Sequence, residues 1–343
     1  SGYGQAVASI AAGAWNVGAN WDSGTPPTAA NSTSITLNHN INIPSGFTAT
    51  VDQVAVTPGN TLTVDAGGTL SLQNSGGTDL DLQEDFVLLI IGSNLVVNGT
   101  YINNSTTPVN YGTGLSSTTF NSGGKYTHAV NGLALPFNGA SWDANATAEI
   151  TGVTTTAPGN TNQSFGHFTW NCAGQGAVNP SLGLHQATIN GNLTISNTGT
   201  GLVTLSNTTG TIPILGNFVV SGTGRFLGVT NVNATINVGG DFTLTSTNTN
   251  PSLLISTGLG VTLNFNVSKN FTVSGKLQSR ATSNPTVNVN FNGSTVQTFN
   301  TAGGTLTQDT NWTIKTGATV DMGTSPFIQG GICLLYTSDA ADE

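Results

Sequence analysis

The phrase GNLTIS, residues 191–196, indicates the architecture of this chain, because related phrases recur along the sequence. In most copies an Asn or Asp precedes a large apolar residue, and polar and apolar residues then alternate. The related phrases are GHFTWN (166–171), GNFVVS (216–221), GDFTLT (240–245), KNFTVS (269–274) and TNWTIK (310–315). Alternation with a period of two is typical of a β-strand with one buried face. The phrase therefore predicts one strand that recurs along the chain.

The spacing of the phrases predicts how these strands are arranged. Aligned on Phe168, Leu193, Phe218, Phe242, Phe271 and Trp312, successive copies are separated by 25, 25, 24, 29 and 41 positions. A period of this size indicates stacked units that bury their apolar faces against each other. Gly, Asn or Pro-Gly divides each period into three short strands. We therefore predict an all-β fold, a right-handed parallel β-helix (β-solenoid) with rungs of about 24–25 residues, the hand following from the preference of parallel crossovers.

The Asn or Asp of the phrase predicts a ladder along one corner of the solenoid. Asn tolerates the left-handed backbone of a tight corner, and stacked side chains can hydrogen-bond from rung to rung. The large apolar residue one position later would form an interior stack. The phrase is thus a structural device rather than a ligand site. The predicted ladder consists of Asn192, Asn217, Asp241, Asn270 and Asn311.

The remaining segments predict the organisation of the chain. Residues 1–34, with Trp15 and Trp21, are expected to cap the first rung, and residues 35–332 to form the β-helix. Residues 101–165 are loop-rich and aromatic, so they form either a side excursion or a pair of irregular, longer rungs. The apolar run 86–91 is short enough for one buried strand. Residues 333–343, CLLYTSDAADE, resemble the translation of a transposon-type sequencing adapter. We therefore expect a non-native tail that forms no rung, and we expect the natural sequence to continue from about Ile332 in its place.

Composition limits the partners and the location. Charged residues make up 6% of 343 residues, and the formal net charge is −9 with only six Lys and Arg. Nucleic-acid surfaces need clustered Lys and Arg, so no nucleic-acid partner is expected. No segment approaches the roughly 18–20 apolar residues of a membrane span, so no membrane insertion is expected. A surface hydrated by hydroxyls and amides resembles that of secreted fibrous β proteins, which predicts an extracellular or cell-surface location.

Few residues have the pattern of an active site. Many β-helices are polysaccharide lyases or hydrolases, whose sites need paired carboxylates or an acidic calcium cluster beside a basic residue. In TDLDLQED (78–85), Asp79 and Asp81 would face outward about 7 Å apart and share a calcium ion, or else form a solvated face. Lys269 would pair with Asp241 of the rung below. We expect no catalytic residue, no cofactor other than this calcium ion, and no enzymatic activity.

Three aromatic residues offer a different kind of site. A carbohydrate-binding surface needs exposed aromatic rings in a line, and Tyr111, Tyr126 and Trp142 of the 101–165 segment would supply such a glycan contact. The alternative is that these rings fix the segment to the solenoid.

Two longer segments carry a resemblance to a known group of proteins. They are GAWNVGANWDSGTPPTAANSTSITLNHNINIPSG (13–46) and FNSGGKYTHAVNGLALPFNGASWDANATAEITGVTTTAPGNTNQSFGHFTWNC (120–172). Both resemble units of large secreted surface proteins of Bacteroidota. The resemblance implies a β-solenoid and export, commonly by a system that reads a C-terminal sorting domain, and it assigns no catalytic residue. We therefore predict a structural or adhesive protein that self-associates into a fibre or surface layer. The alternatives are a carbohydrate-binding adhesin and a polysaccharide lyase or hydrolase.

Overall fold

The computed structural model describes residues 4–88, 90–136, 140–255, 260–280, 285–301, 303–307, 310–323 and 336–337. The chain divides into two compact units, residues 1–153 with 157–160 and residues 154–156 with 161–343. Both are all-β and consist of parallel sheets stacked as a β-solenoid, with about 12 turns in all. Among the described residues, the helices are two 3-10 turns, Gly18–Asn20 and Leu184–Gln186. The prediction of a parallel β-solenoid is confirmed.

The strands of the first unit form three parallel sheets, with the orders β1-β3-β6-β9, β2-β4-β7-β12-β14-β16 and β5-β8-β13-β15-β17, and one antiparallel hairpin, β10–β11. These strands are β1 Gln5–Ala8, β2 Gly13–Ala14, β3 Ser32–Leu37, β4 Ile41–Ile43, β5 Thr48–Val51, β6 Val54–Val56, β7 Thr61–Val64, β8 Thr69–Leu72, β9 Leu80–Leu82, β10 Glu84–Asp85, β11 Ile91–Gly92, β12 Asn94–Val97, β13 Thr100–Asn103, β14 Ser117–Phe120, β15 Lys125–His128, β16 Ala140–Trp142 and β17 Thr147–Ile150.

The stacking of the first unit follows from side-chain alternation. In β7 and β12 every second residue is buried, and Leu62 lies directly beside Leu95 in the parallel register. A shift of one position would turn every buried side chain to the surface, so the apolar pattern holds the register. Stacked strands thus supply a continuous interior of Leu, Val and Ile side chains.

The segment 101–165 does not form a side excursion. Its strands pair in parallel at the ordinary interval of one rung, with Thr118 beside Leu95 and Tyr126 beside Tyr101. A longer interval lies earlier, between Leu62 and its partner Leu95. The extra length belongs to the β10–β11 hairpin, which leaves the solenoid between β9 and β12. The expected buried strand at 86–91 is therefore wrong, because Phe86, Val87, Leu88 and Ile90 are exposed at the tip of that hairpin; residue 89 lies outside the described residues.

The first residues form an irregular first turn. Strand β1 pairs with β3 and β2 pairs with β4, so both extend the sheets of the solenoid. Trp15 and Trp21 are buried and in contact, with ring centroids 5.0 Å apart. The indole N–H of Trp21 donates to the carbonyl of Trp15 at 2.8 Å. Residues 4–31 thus lie over the first full turn, and their strands β1 and β2 continue two of its sheets.

The strands of the second unit form sheets with the orders β18-β19-β22-β25-β28-β31-β34, β20-β23-β26-β29-β32 and β21-β24-β27-β30-β33-β35. These strands are β18 His167–Asn171, β19 Leu193–Asn197, β20 Val203–Ser206, β21 Gly210–Ile214, β22 Phe218–Val220, β23 Phe226–Val229, β24 Ala234–Val238, β25 Phe242–Leu244, β26 Ser252–Ile255, β27 Thr262–Val267, β28 Phe271–Val273, β29 Lys276–Arg280, β30 Thr286–Phe291, β31 Val296–Asn300, β32 Thr305–Thr307, β33 Asn311–Ile314, β34 Thr319–Asp321 and β35 Tyr336–Thr337.

An aromatic stack fills the interior of the second unit. Phe218, Phe242 and Phe271 follow one another with ring centroids 5.4 and 5.0 Å apart, and the next member is Phe299 at 5.6 Å. Trp312 was expected to follow Phe271 in the same sheet and instead lies on β33, beside Val289 of another sheet. Its buried ring still contacts the stack, with centroids 5.5 Å from Phe271 and 5.3 Å from Phe299. The unusually long interval between Phe271 and Trp312 therefore contains Phe299, a member of the stack whose phrase lacks the Asn.

Part of the 333–343 tail is included in a sheet. Tyr336 and Thr337 form β35 and pair in parallel with Thr313 and Ile314. The prediction that the tail forms no rung did not include this pairing, and it stays a prediction because residues 333–335 and 338–343 lie outside the described residues. The physical reason for the pairing is that the last strand of a sheet has unpaired N–H and C=O groups. An extended segment that follows can pair with these backbone groups whatever its side chains are.

Candidate functional site

Four of the five residues of the predicted corner ladder bind the turn that follows them, and they bind its backbone rather than its side chains. The left-handed backbone expected at these positions is wrong, because none of the four residues has a positive φ. The backbone N–H of Asn217 donates to Oδ1 of Asn192 at 2.9 Å, and the N–H of Asp241 donates to Oδ1 of Asn217 at 2.8 Å. Asp241 and Asn270 repeat this arrangement, accepting from the N–H groups of Asn270 and Thr298. At the beginning of the ladder, Nδ1 of His167 accepts from the N–H of Asn192. Each side chain thus binds the backbone of the turn that follows.

This geometry explains the residues of the phrase. Only an acceptor oxygen is needed, so Asp241 replaces Asn without changing the contact. At Gly216 the Gly before the Asn is required by space, because a Cβ there would lie 2.5 Å from Oδ1 of Asn192, whereas Lys269 takes this place before Asn270. Asp241 therefore has a structural role. The ion pair expected between Asp241 and Lys269 does not form, and the salt bridge that the described residues contain joins Lys125 to Glu149 at 2.6 Å.

Asn311 belongs to a different ladder from the one predicted. It lies on β33 beside Asn288, and its amide Nδ2 donates to Oδ1 of Asn288 at 2.9 Å. Asn288 donates in the same way to Asn264. A second column, two positions further along the strands, joins Asn290 to Asn266 and Asn266 to Asn237, each at 2.7 Å. The β24-β27-β30-β33 face thus carries two adjacent amide ladders.

The two carboxylates of the predicted calcium site do not share an outward face. Asp79 is fully buried, and it accepts from the hydroxyls of Ser75, Ser105 (2.5 Å) and Thr107 (2.9 Å). Asp81 is half-buried on β9 and accepts from the amide of Asn110 at 2.6 Å. The alternation was misjudged because Asp79 precedes β9 and turns inward. Among the described residues, no group of three or more His, Cys, Asp and Glu side chains could hold a metal ion.

Glu84, at the base of the β10–β11 hairpin, occupies a nest of backbone amides. One carboxylate oxygen accepts from the N–H groups of Gly114 (3.0 Å), Leu115 (2.7 Å) and Ser116 (2.6 Å). The other accepts from the N–H and the hydroxyl of Thr113. Burial raises the pKa of Glu84, but the hydrogen bonds from Thr113, Ser116 and Gly114 outweigh it and lower the pKa to about 2. The ionised carboxylate thus attaches the hairpin to the loop at 112–116.

The aromatic residues proposed to contact a glycan are mostly interior. Tyr126 is fully buried and Tyr111 is 7% exposed, so neither offers a ring face to a sugar. Trp142 is half-buried and stacks on Phe120, with centroids 3.9 Å apart and planes 9° from parallel. Tyr126 points inward because it occupies one of the buried positions of the alternating strand β15. The alternative, that these rings fix the segment to the solenoid, agrees with this burial.

Tyr126 belongs to a buried polar network. Nε2 of His128 donates to the carbonyl of Gly132 at 2.8 Å, so Nδ1 is the acceptor and the Tyr126 hydroxyl donates to it at 3.0 Å. The amide of Asn103 donates to the same hydroxyl. Burial lowers the pKa of His128, although its bond to Gly132 opposes this, and burial raises the pKa of Tyr126. No sequence pattern indicated this network, because its members show no catalytic spacing.

The outer face of the second unit has a shallow depression of about 240 Å³ beside the amide ladders. It is lined by Thr209, Gly210, Asn233, Ala234, Thr235, Thr262 and Asn264. These side chains are uncharged and offer hydroxyl and amide groups, so they suit a neutral, hydroxyl-rich ligand.

Comparisons with known proteins add no family to this description. No protein-family model matches the chain, and no curated protein or solved structure matches it at a significant level. The resemblance of residues 13–46 and 120–172 to Bacteroidota surface proteins therefore stays a prediction. Across the described residues, none of the helices combines the length and apolarity that crossing a membrane requires.

Proposed function

We propose that this chain is a non-catalytic structural or adhesive protein of the cell surface or extracellular space, and that its solenoids associate through strand edges into a fibre or surface layer. The amide ladders of the β24-β27-β30-β33 face carry the proposal. Within a column the amide of one Asn donates to the Asn of the strand before it, as Asn288 does to Asn264 and Asn311 to Asn288. A strand from another copy could pair in the same way at the end of a sheet, as identical strands do in cross-β stacks.

The side chains that could perform chemistry already have structural partners, which supports this proposal. Asp241 accepts a backbone N–H in the corner ladder, and Asp79 accepts three hydroxyls in the interior. Glu84 is enclosed by backbone amides, and His128 bonds at both ring nitrogens. The hydrogen bonds of these side chains stabilise the fold, and this favours a structural role over a catalytic one.

The last strands of the second unit are where association would occur. Within the described part of the chain, β32 and β34 are the last strands of their sheets. An uncovered edge of this kind pairs readily with another strand. The chain also carries few charges, so little repulsion opposes contact between copies.

Electron microscopy and sedimentation velocity of the purified chain test this proposal. We expect filaments or large assemblies that are lost in the double variant Thr305→Lys and Thr307→Lys, because two charges on the exposed positions of β32 oppose edge pairing. The control is Thr286→Lys, an exposed position of β30 in the interior of its sheet. Monodisperse particles at every concentration, or assemblies that persist in the β32 variant, would contradict the proposal.

The depression beside the amide ladders favours a second candidate function, binding of a neutral glycan. Its Thr and Asn side chains can hydrogen-bond to sugar hydroxyls without any charge. Calorimetric titration with neutral oligosaccharides tests this candidate. We expect Thr235→Val, which removes a hydroxyl from the lining, to weaken binding, whereas Thr243→Val on β25 of another sheet should not. If Thr235→Val and Thr243→Val weakened glycan binding equally, the glycan would bind elsewhere on the protein.

A further inference from the structure

The β10–β11 hairpin presents the largest group of exposed apolar side chains in the described part of the first unit. The exposed fractions are 57% for Phe86, 89% for Val87, 84% for Leu88 and 69% for Ile90. Isolated exposed apolar residues are ordinary on a protein surface, but a contiguous patch of this kind marks a contact site. Packing within the solenoid does not account for these exposed apolar side chains, so they indicate a contact with another molecule.

The hairpin is held in place by its own acidic residues. Glu84 bonds to four backbone N–H groups of the loop at 112–116, which fixes the base. Asp85 accepts from the N–H groups of Val87 and Leu88 at 2.8 and 2.9 Å, which fixes the turn. The apolar side chains are thus presented on a bonded backbone, and a partner would not have to order the base of the hairpin when it binds.

We propose that this tip is a dimerisation contact, in which the hairpin of one copy packs against the same hairpin of a second copy. The exposed side chains amount to apolar surface on the order of 500 Å². Two tips facing each other would bury at most on the order of 1,000 Å², which is the lower limit of area for a specific protein contact. A twofold contact of this kind uses the same patch on both copies and needs no complementary surface elsewhere.

The charges around the tip favour a second copy over an anionic membrane. The nearest ionised groups in the hairpin are Glu84 and Asp85, and both are acidic, so they would be repelled by anionic lipid headgroups. Both carboxylates are already bonded to backbone N–H groups, which reduces their repulsion of an identical hairpin. The contact is separate from the strand edges of the proposed fibre and does not depend on them.

Sedimentation equilibrium of the full chain tests the dimer. The measurements use the Thr305→Lys and Thr307→Lys background, so that any assembly through strand edges does not obscure the result. We expect a dimer whose dissociation constant rises at least about tenfold in Leu88→Lys, because a lysine would be buried against apolar side chains. The matched control is Ser122→Lys, an exposed loop position of the same unit, which should dimerise like the parent chain.

Three outcomes would overturn the proposal. They are a parent chain that stays monomeric at high concentration, a Leu88→Lys variant that dimerises as strongly as the parent, and a monomeric parent that cosediments with phosphatidylcholine vesicles through Leu88. The last outcome would assign the tip to a lipid surface. Cross-linking gives an independent check: in a Cys333→Ser background, Val87→Cys should form an interchain disulfide on oxidation, and Ser122→Cys should not. Cys172 is buried and does not interfere.

Discussion

The side-chain oxygen of Asn192 accepts the backbone N–H of Asn217 at 2.9 Å, across one complete turn of the solenoid. The two residues are 25 positions apart in the chain and occupy the same place in successive copies of one phrase. A single side chain therefore fixes the height and register of the next turn, and this contact can be tested directly.

Replacing Gly216 with Ala should destabilise the second unit by about 1–3 kcal/mol, because the added Cβ would lie 2.5 Å from Oδ1 of Asn192 and displace the ladder. Urea denaturation measures the loss. The control is Gly76→Ala, where the added Cβ meets no atom within 4 Å, and its effect should stay within about 0.5 kcal/mol. Equal effects for both variants would show that the ladder does not require the Gly.

Replacing Asn217 with Ala should cost about 1–3 kcal/mol, because the N–H of Asp241 loses its acceptor. Asp241→Asn keeps an oxygen in the same place and should leave the free energy of unfolding nearly unchanged. Thermal and urea unfolding of the two variants distinguishes the roles. If Asp241→Asn were as damaging as Asn217→Ala, the charge of Asp241 would have a role beyond accepting one hydrogen bond.

Replacing Glu84 with Gln should lower stability at neutral pH by roughly 1–3 kcal/mol, because an NH₂ group cannot accept from the amides at 113–116. The folded pKa of Glu84 is lowered to about 2, below the value of about 4.3 in an unfolded chain. The contribution is therefore complete above about pH 4.3 and disappears as the pH falls toward 2. The difference between parent and variant should shrink over that range in urea unfolding.

The control for Glu84 is Glu149→Gln, which removes the partly exposed ion pair with Lys125. Pairs of this type contribute about 0–1 kcal/mol and weaken as salt is added. A Glu84→Gln variant as mild as Glu149→Gln would mean that the amide nest does not hold the hairpin.

Removing the hydroxyl of Tyr126 with Phe should destabilise the first unit by about 1–3 kcal/mol, because Nδ1 of buried His128 loses its donor. Burial lowers the folded pKa of His128, so the unfolded chain takes up the proton first. Stability should therefore fall as the pH drops below about 6.5, the unfolded value. His128→Gln should remove this dependence, and His39→Gln, at a half-buried histidine of the same unit, should retain it.

Sequence patterns predicted the solenoid because one phrase, as at 191–196, combines alternation with a corner Asn and recurs at intervals of 24–29 positions from Phe168 to Phe271. They misplaced Trp312 because TNWTIK matches the phrase. The residues that actually follow Asn270 and Phe271 in the next turn are Thr298 and Phe299, and Thr298 stands where the phrase has Asn or Asp. A short apolar run in the sequence looks the same whether a strand buries it or a hairpin exposes it, as the hairpin exposes Phe86, Val87 and Leu88. The nest around Glu84 is made of backbone N–H groups that lie more than a full rung later in the chain, and such a contact has no signature in side-chain types.

The corner ladder also has a direction along the chain. Every acceptor from His167 to Asn270 belongs to an earlier turn, and every donor belongs to the turn that follows it. During synthesis, the side-chain acceptor of each ladder bond is therefore translated before the backbone N–H that it binds. The backbone bonds at the same corner run the other way, as from the N–H of Phe218 to the carbonyl of Asp241, so each new turn also completes the bonds of the turn before it.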